Sequence, residues 1–234
     1  MVVGVQTVKV ALEANRTVAW FIAIWLGSAG FNVSAQGFEE ISFATADGGT
    51  VYANLYGDGQ HAVLLGHGAV FDKESWDGLA QDLSAVGYQV LAIDFRGYGK
   101  STAGRAGNAL YQDVLAGIRY LRNAGAERVS VIGASMGGGA VAQAAVVVEP
   151  DEIAKLILLA GVPIATPEQM HGNKLFIVSR GDALRDAVED QFERAGEPKE
   201  LIVLAGSQHA QHIFSSRQRG EELTAAIINW LANE

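Results

Sequence analysis

The stretch that most constrains how this chain can fold is residues 129–140, Val-Ser-Val-Ile-Gly-Ala-Ser-Met-Gly-Gly-Gly-Ala. A run of β-branched and apolar residues leads into Ser135, and small residues follow it. This order predicts a strand, a very tight turn and a helix, with the serine at the apex. Gly133 and Gly137 are small enough to let the strand and the helix nearly touch. The alternative is a glycine-rich turn that binds phosphate or only packs.

Composition limits the classes of protein that need to be considered. With 234 residues, 49% of them hydrophobic, the chain is long enough to bury one substantial core, and one domain is the default. The formal net charge is -9 and no cluster of lysine or arginine stands out, which argues against a nucleic-acid partner. The absence of cysteine removes disulfides, thiolate metal sites and cysteine nucleophiles, but it does not locate the protein.

Residues 1–35 differ in character from the rest of the chain. Lys9 and Arg16 precede an apolar run at residues 18–26, and Val-Ser-Ala at residues 33–35 is the kind of small-residue site that signal peptidase cleaves. We therefore expect a signal peptide, cleavage before Gln36, and a periplasmic or secreted domain over residues 36–234. The apolar run is short for a stable membrane span. Because Glu13 and the long first segment are unusual in a signal, a cytoplasmic protein with an N-terminal core helix and a membrane-anchored protein remain alternatives.

Alternating and continuous apolar patterns predict a series of strands separated by helices. The predicted strands are residues 38–46, 50–56, 62–65, 89–93, 128–132, 155–160, 174–178 and 201–204. The predicted helices are residues 73–86, 110–123, 137–148, 183–195 and 218–231. Asp47-Gly48-Gly49 reads as a hairpin turn. Together these patterns predict an α/β fold, in which a mostly parallel sheet has helices on both faces and an antiparallel N-terminal hairpin at its edge.

A serine at the apex of such a turn needs a base and an acid before it can act as a nucleophile. In a parallel sheet the usable positions lie at the carboxyl ends of strands. Asp182 lies just past the strand at residues 174–178, and no carboxylate follows the preceding strand, so Asp182 is the candidate acid. It could equally cap the helix that begins near residue 183.

Histidines follow the last strand, where a base would be expected. His209 comes after the strand and a glycine, and His212 follows three residues later, about one helical turn away if the segment is helical. We favour His209 as the base and keep His212 as the alternative. His61 begins a strand and His171 lies in a loop, so both are expected to be surface or structural histidines.

Gly66-His67-Gly68-Ala69 after the third strand completes a set of elements at successive strand ends. In the order Ser135, Asp182, His209, the set resembles the α/β-hydrolase family over residues 38–234. The resemblance implies that Ser135 is the nucleophile, Asp182 the acid and His209 the base. It also implies that the backbone N–H groups of Ala69 and Met136 form an oxyanion hole, that His67 is structural, and that residues 94–101 form a structural loop.

Many family members insert a cap domain where this chain has only residues 161–173, so the sequence resembles the small, capless branch, near dienelactone-hydrolase-like proteins and compact esterases. It departs from dienelactone hydrolase in carrying Ser135 where that enzyme has cysteine. We expect a serine hydrolase that cleaves small-molecule carboxylic esters without a cofactor or a metal. Acyl transfer, thioester or amide cleavage, and a non-catalytic binding protein are the alternatives. The residues expected to line the substrate pocket are Phe71, Trp76, Met170 and Phe214.

Overall fold

The computed structural model describes residues 37–233, and its strands form an eight-stranded sheet. Most of these strands are short apolar runs bounded by glycine, proline or polar turn residues, as a buried sheet requires. The strands are β1 (Glu39–Ala44), β2 (Thr50–Tyr56), β3 (His61–Gly66), β4 (Gln89–Ile93), β5 (Arg128–Ala134), β6 (Lys155–Leu159), β7 (Asn173–Ser179) and β8 (Lys199–Leu204).

The strand order across the sheet is β1-β2-β4-β3-β5-β6-β7-β8. β1 and β2 form the predicted antiparallel hairpin, and β2 joins β4 in antiparallel orientation, whereas β4, β3, β5, β6, β7 and β8 are parallel. At the centre, Leu64 of β3 pairs with Leu91 on one side and Val131 on the other, and all three are fully buried. The expected α/β-hydrolase architecture is therefore confirmed.

Five α-helices cover the sheet within residues 37–233; four connect parallel strands and the fifth follows β8. They are α1 (Asp77–Ala85), α2 (Tyr111–Asn123), α3 (Met136–Val147), α4 (Arg185–Arg194) and α5 (Arg217–Ala232). The helix predicted at residues 73–86 differs in its first turn, because Lys73–Trp76 forms a 3₁₀ helix before α1 begins. The Asp72 side chain caps this short helix by accepting a hydrogen bond from the Ser75 N–H.

The parallel strands all end at one edge of the sheet, and the loops after β3, β5, β7 and β8 meet there. The connection from β6 to β7 occupies residues 160–172 and contains a 3₁₀ turn at Pro167–Gln169. In an open α/β sheet this carboxyl edge is where ligands bind. The topology therefore brings the sequence-predicted site residues to one place.

The predicted signal peptide over residues 1–35 and its cleavage point before Gln36 lie outside the described residues. Within residues 37–233, every helix is too short or too polar to cross a bilayer.

Candidate active site

Ser135 lies at the sharp turn between β5 and α3, with φ +50° and ψ -113°. A non-glycine residue rarely adopts this conformation, which is strained and is typical of a nucleophile raised above a sheet. A Cβ on Gly133 would lie 2.4 Å from the carbonyl oxygen of Gly137, and one on Gly137 would lie 2.4 Å from the carbonyl oxygen of Gly66. Side chains at these two positions would therefore open the turn and displace Ser135.

Three loops bring Ser135, His209 and Asp182 into one chain of hydrogen bonds. His209 Nε2 lies 2.8 Å from Ser135 Oγ. On the other side of the ring, His209 Nδ1 lies 2.8 Å from Asp182 Oδ2 and 3.0 Å from Oδ1. The Asp182 side chain is fully buried, whereas the His209 side chain is 36% exposed. A hydroxyl, an imidazole and a buried carboxylate in this arrangement can activate the serine oxygen.

Asp182 is not the N-cap of α4, which is Leu184 without a side-chain cap, but its carboxylate has a second role in the same loop. Its Oδ1 accepts a hydrogen bond of 2.9 Å from the Leu184 N–H, just before α4 begins. The two roles are compatible, because a carboxylate has enough lone pairs for the imidazole and the backbone amide together. This second bond holds the carboxylate in place while it contacts His209.

The backbone N–H groups of Ala69 and Met136 are available beside Ser135. A Cβ on Gly68 would lie 3.5 Å from the Cβ of Ser135, so the loop after β3 runs past Ser135. Within residues 37–233, neither N–H donates a hydrogen bond to another group of the protein. Met136 is also the first residue of α3, where the helix dipole favours negative charge. Two unpaired donors of this kind can hold an oxyanion.

His67 fixes the direction of the Ala69 N–H. The buried ring accepts a hydrogen bond from the Phe95 N–H at Nε2 (3.2 Å), so Nδ1 carries the proton and donates to the Gly68 carbonyl (2.9 Å). Burial lowers the pKa of His67, which favours this neutral form. The Phe71 N–H donates to the same carbonyl oxygen (3.0 Å). Because the peptide is planar, anchoring this carbonyl also orients the Ala69 N–H.

The loop at residues 94–101 packs against the site and has a structural role, as the sequence predicted. Asp94 is fully buried and accepts hydrogen bonds from the backbone N–H (2.9 Å) and Nζ (3.1 Å) of Lys73. The Tyr98 hydroxyl donates to the Ala69 carbonyl oxygen (2.9 Å) and contacts Met136 Sδ (3.5 Å). This loop therefore contacts both residues that carry the unpaired N–H groups.

The four residues expected to line the pocket occupy different surroundings. Phe71 is partly exposed, lies near Gly68, and packs against the His212 ring with centroids 4.9 Å apart. Phe214 is also partly exposed, and its ring meets the edge of Trp76 at 6.0 Å. Of the four, Phe71 lies near Ser135, beside the Gly68 that both approach.

Two of these pocket assignments need correction. Trp76 is fully buried and belongs to the hydrophobic core, so it offers no exposed surface beside Ser135. Met170 is 4% exposed and precedes the amino end of β7, whereas Ser135 follows the carboxyl end of β5. A strand separates these two ends, and Met170 is therefore a core residue away from the site.

Gln211 is the site residue that sequence reasoning missed. It is 4% exposed, and its side chain reaches the loop after β3, where Oε1 accepts the Gly68 N–H at 2.6 Å. The only sequence signal was its position two residues after His209.

Within residues 37–233, no cluster of three or more His, Asp or Glu side chains is arranged to hold a metal ion.

Comparison with known proteins places the chain in a family. Residues 61–209 match the family described as having the alpha/beta hydrolase fold. The dihydrolipoyllysine-residue acetyltransferase component of the acetoin cleaving system of Cupriavidus necator is 30% identical over 181 residues, which are 77% of this chain and 44% of that protein. A non-heme chloroperoxidase of Streptomyces lividans is 34% identical over 124 residues, 51% of this chain and 44% of that protein. The chain spans about half the length of the curated relatives it matches.

Solved structures show the same fold at lower sequence identity. An esterase of Pyrococcus furiosus superposes with a TM-score of 0.71 at 20% identity, covering 83% of this chain and 91% of that chain. A dienelactone hydrolase of Anabaena variabilis superposes with a TM-score of 0.66 at 19% identity, covering 83% of this chain and 97% of that chain.

Proposed function

This chain belongs to the α/β-hydrolase fold family, and on that premise we propose that it is a serine hydrolase that cleaves carboxylic esters through an acyl-enzyme. The observation that carries the proposal is the unbroken chain of hydrogen bonds from Ser135 through His209 to buried Asp182. Family membership supports hydrolase activity, and the ester as substrate is the part that needs testing.

In the proposed reaction, Ser135 Oγ attacks the ester carbonyl carbon while its proton passes to His209 Nε2. The negative charge that develops on the carbonyl oxygen is held by the N–H groups of Ala69 and Met136, each of which contributes about 3 kcal/mol at comparable sites. His209 then donates the proton to the departing alcohol, which leaves the acyl group on Ser135. Asp182 remains ionised and stabilises the imidazolium throughout.

Water completes the cycle in the same site. His209 takes a proton from a water molecule, whose oxygen attacks the acyl carbon, and the second tetrahedral intermediate is held by the same two N–H groups. His209 returns the proton to Ser135 Oγ, and the free carboxylic acid leaves. The 36% exposure of the His209 side chain allows water to reach this position.

Two exposed valines support an ester with apolar groups as the substrate. Val70 is 78% exposed and directly follows Ala69, whereas Val162 is 44% exposed and donates its N–H to the Ser135 carbonyl oxygen at 2.9 Å. Both therefore lie at the rim of the site. Large exposed apolar side chains beside a nucleophile offer a surface for the acyl or alcohol part of a substrate.

Labelling with a fluorophosphonate, followed by turnover of p-nitrophenyl acetate and a panel of esters of increasing acyl length, tests the proposal. We expect labelling at Ser135 and ester turnover by the wild-type protein. Absence of both would contradict the proposed function. Labelling without turnover would show an activated serine that acts on a substrate outside the panel, whereas absence of both would favour the non-catalytic binding protein that the sequence left as an alternative.

Acyl transfer to an acceptor other than water is the second candidate. The partly exposed His209 could activate an alcohol, a thiol or a peroxide as readily as water. One relative, 30% identical over 77% of this chain, is named as an acetyltransferase component, which supports testing this activity. Adding such acceptors to the ester assay and measuring the ratio of acyl product to free acid would separate transfer from hydrolysis. The same assay with thioester and amide substrates tests the remaining alternatives.

We also propose that residues 1–35 are an export signal and that residues 36–234 form the hydrolase domain. The apolar run at residues 18–26 and the small residues 33–35 support the proposal. Sequencing the N-terminus of the protein made in its own cell tests it. A chain that begins at Gln36 is expected, and one that begins at Met1 would contradict it and favour a cytoplasmic location or an anchored protein.

A further inference from the structure

Gln211 connects two loops that carry different parts of the proposed machinery. The first, which we call the oxyanion loop, is residues 67–71, and the second, the histidine loop, is residues 209–215. Gln211 Oε1 accepts the Gly68 N–H at 2.6 Å, and Gln211 Nε2 donates to Ser75 Oγ at 2.8 Å. The side chain is 4% exposed, so water contributes little to these bonds.

The chemistry of the two partners requires a glutamine or a close equivalent. The Gly68 N–H can only donate. The Ser75 hydroxyl donates to the Asp72 carbonyl oxygen, so towards Gln211 it can only accept. Residue 211 must therefore present one acceptor and one donor at the same time, which an amide does and an ionised carboxylate does not.

The backbone before Gln211 is strained in a way that serves this contact. Ala210 has φ +48°, is 2% exposed, and separates His209 from Gln211. A residue with a Cβ is sterically disfavoured in this region. Strain of this kind persists where surrounding contacts over-determine it. Here the residue on one side contacts Ser135 and the residue on the other side contacts Gly68.

We propose that Gln211 is a positioning residue that ties the oxyanion loop to the histidine loop. It holds the Ala69 N–H in place relative to Ser135 while His209 stays within reach of the serine hydroxyl. Gln211 touches no reacting atom and acts through Gly68, the residue before Ala69. The inference rests on the proposed function, because it assigns a role within that same site.

The variant Gln211→Glu tests the inference, because its effect depends on pH. An ionised carboxylate would face the Ser75 oxygen without a proton between them. A protonated one can donate to Ser75 Oγ and still accept the Gly68 N–H. Burial raises the pKa of a carboxyl group towards neutrality. We expect kcat for p-nitrophenyl acetate to fall about 10- to 100-fold at about pH 9, and the deficit to shrink towards about pH 6. KM should change less than about threefold, because ground-state binding is not altered.

The ratio of variant to wild-type kcat removes most of the pH dependence that the two proteins share, and the matched variants below separate the effect of an added charge from that of residue 211. Other charged or titratable groups occur on the elements packed against it, and both proteins contain them. They are His67, Asp72, Lys73, Glu74, Asp182, His209, His212, Arg217, Arg219, Glu221 and Glu222. Since these groups are common to both proteins, their own titration cancels in the ratio to first order.

Gln208→Glu is the matched control. Gln208 directly precedes the histidine loop, but its side chain accepts from Arg219 Nη1 at 2.6 Å and not from the oxyanion loop. We expect its kcat to stay within about threefold of wild type at every pH, because an added carboxylate beside Arg219 is compensated. Gln211→Met, which removes both hydrogen bonds without adding charge, should lower kcat by a factor that does not vary with pH.

Thermal unfolding of each variant shows whether it is folded. If Gln211→Glu is unfolded, Gln211→Met and Ser75→Ala provide the comparison, because Ser75 is only partly buried and its substitution breaks one bond of the bridge. Wild-type-like kcat in the folded variants, or a change confined to KM, would overturn this inference alone. A wild-type protein without Ser135-dependent turnover would overturn the proposed function and this inference together.

Discussion

Lys155, Lys174 and Lys199 lie at the amino edge of the parallel sheet, opposite to the edge that carries Ser135. Each of the three stands at the first or second position of its strand. Both edges therefore carry polar side chains at strand ends. The two edges differ in whether these polar groups have hydrogen-bond partners within the protein.

At the amino edge the lysines donate to backbone carbonyl oxygens, and Lys155 and Lys199 do so in the last turns of two helices. Lys155 Nζ donates to the carbonyl oxygens of Trp230 (2.9 Å) and Leu231 (3.0 Å), in the last turn of α5. Lys199 Nζ donates to that of Phe192 (2.8 Å), in the last turn of α4. A cation here also faces the negative end of the helix dipole. These side chains stabilise the fold.

At the carboxyl edge, hydrogen-bonding groups beside Ser135, the proposed nucleophile, are left without partners. Within residues 37–233 the N–H groups of Ala69 and Met136 have no partner, and the Ser135–His209 pair is reachable from solvent. Folding gains nothing from donors left unpaired, whereas a reacting oxyanion would use them. The difference separates polar groups that hold the structure from polar groups that await a ligand.

Ser135→Ala should have the largest effect on activity. We expect ester turnover to fall about 10⁴- to 10⁶-fold, because the nucleophile is lost while the fold is kept. The midpoint of thermal unfolding should stay within about 2 °C of wild type. Turnover of p-nitrophenyl acetate and differential scanning calorimetry measure the two quantities. Unchanged turnover would mean that another residue is the nucleophile. The proposed role of the carboxyl edge would then fail.

Alanine substitutions of the two histidines in the histidine loop should have very different effects on kcat. His209→Ala should lower kcat by about 10⁴-fold, because Ser135 loses its base. His212→Ala, which removes an exposed ring packed on Phe71, should lower kcat less than about threefold. Measuring kcat and KM for both variants gives the test. The reverse order of effects would mean that His212 is the base.

Lys155→Met should produce the opposite pattern, a loss of stability without a loss of activity. We expect the free energy of unfolding to fall by about 1–3 kcal/mol, because carbonyls at the end of α5 lose a charged donor. Urea unfolding measures it, and kcat should be unchanged. Lys100→Met is the control, since its ion pair with Glu40 is exposed to solvent and contributes little to stability. A large loss of kcat in Lys155→Met would contradict the separation of the two edges.

The smallest effect on activity is expected from replacing exposed valines with serine, two at the site and two elsewhere as controls. Val70 and Val162 lie at the rim of the site, whereas Val86 follows α1 and Val147 ends α3, on the way to the amino edge. Val70→Ser and Val162→Ser should each reduce the preference for butyrate over acetate esters by about three- to tenfold in kcat/KM. The same changes at the other two valines should leave this preference unchanged. Equal effects at all four positions would show that the rim does not contact the acyl chain.

Much of the fold could be predicted from local pattern. Continuous apolar runs identified the central strands, because a strand buried on both faces has no polar side to alternate with. The glycines around Ser135 marked the turn, since backbone atoms approach within 2.4 Å of where a side chain would begin. The order of Ser135, Asp182 and His209 at strand ends then indicated which side chains meet.

The remaining features depend on contacts between distant segments. Met170 and Trp76 are apolar residues in loops or at helix starts, and sequence alone does not say which edge of the sheet such a residue faces. The bond between Gln211 and Gly68 joins positions 143 residues apart, and no local pattern encodes it. The first turn of the helix predicted from residue 73 became a 3₁₀ helix, and in that geometry the Lys73 N–H bonds to Asp94.

The Ser135 carbonyl accepts the Val162 N–H (2.9 Å), and Gln191 Oε1 accepts the Ile164 N–H (2.6 Å), so the chain is fastened on both sides of exposed Pro163. Added chain at an exposed point with fixed flanks costs little, because closure entropy grows only slowly with length. Residues 162–164 are therefore a suitable place to insert a designed segment. A lid inserted there could reshape selectivity while the residues proposed to carry the chemistry stay untouched.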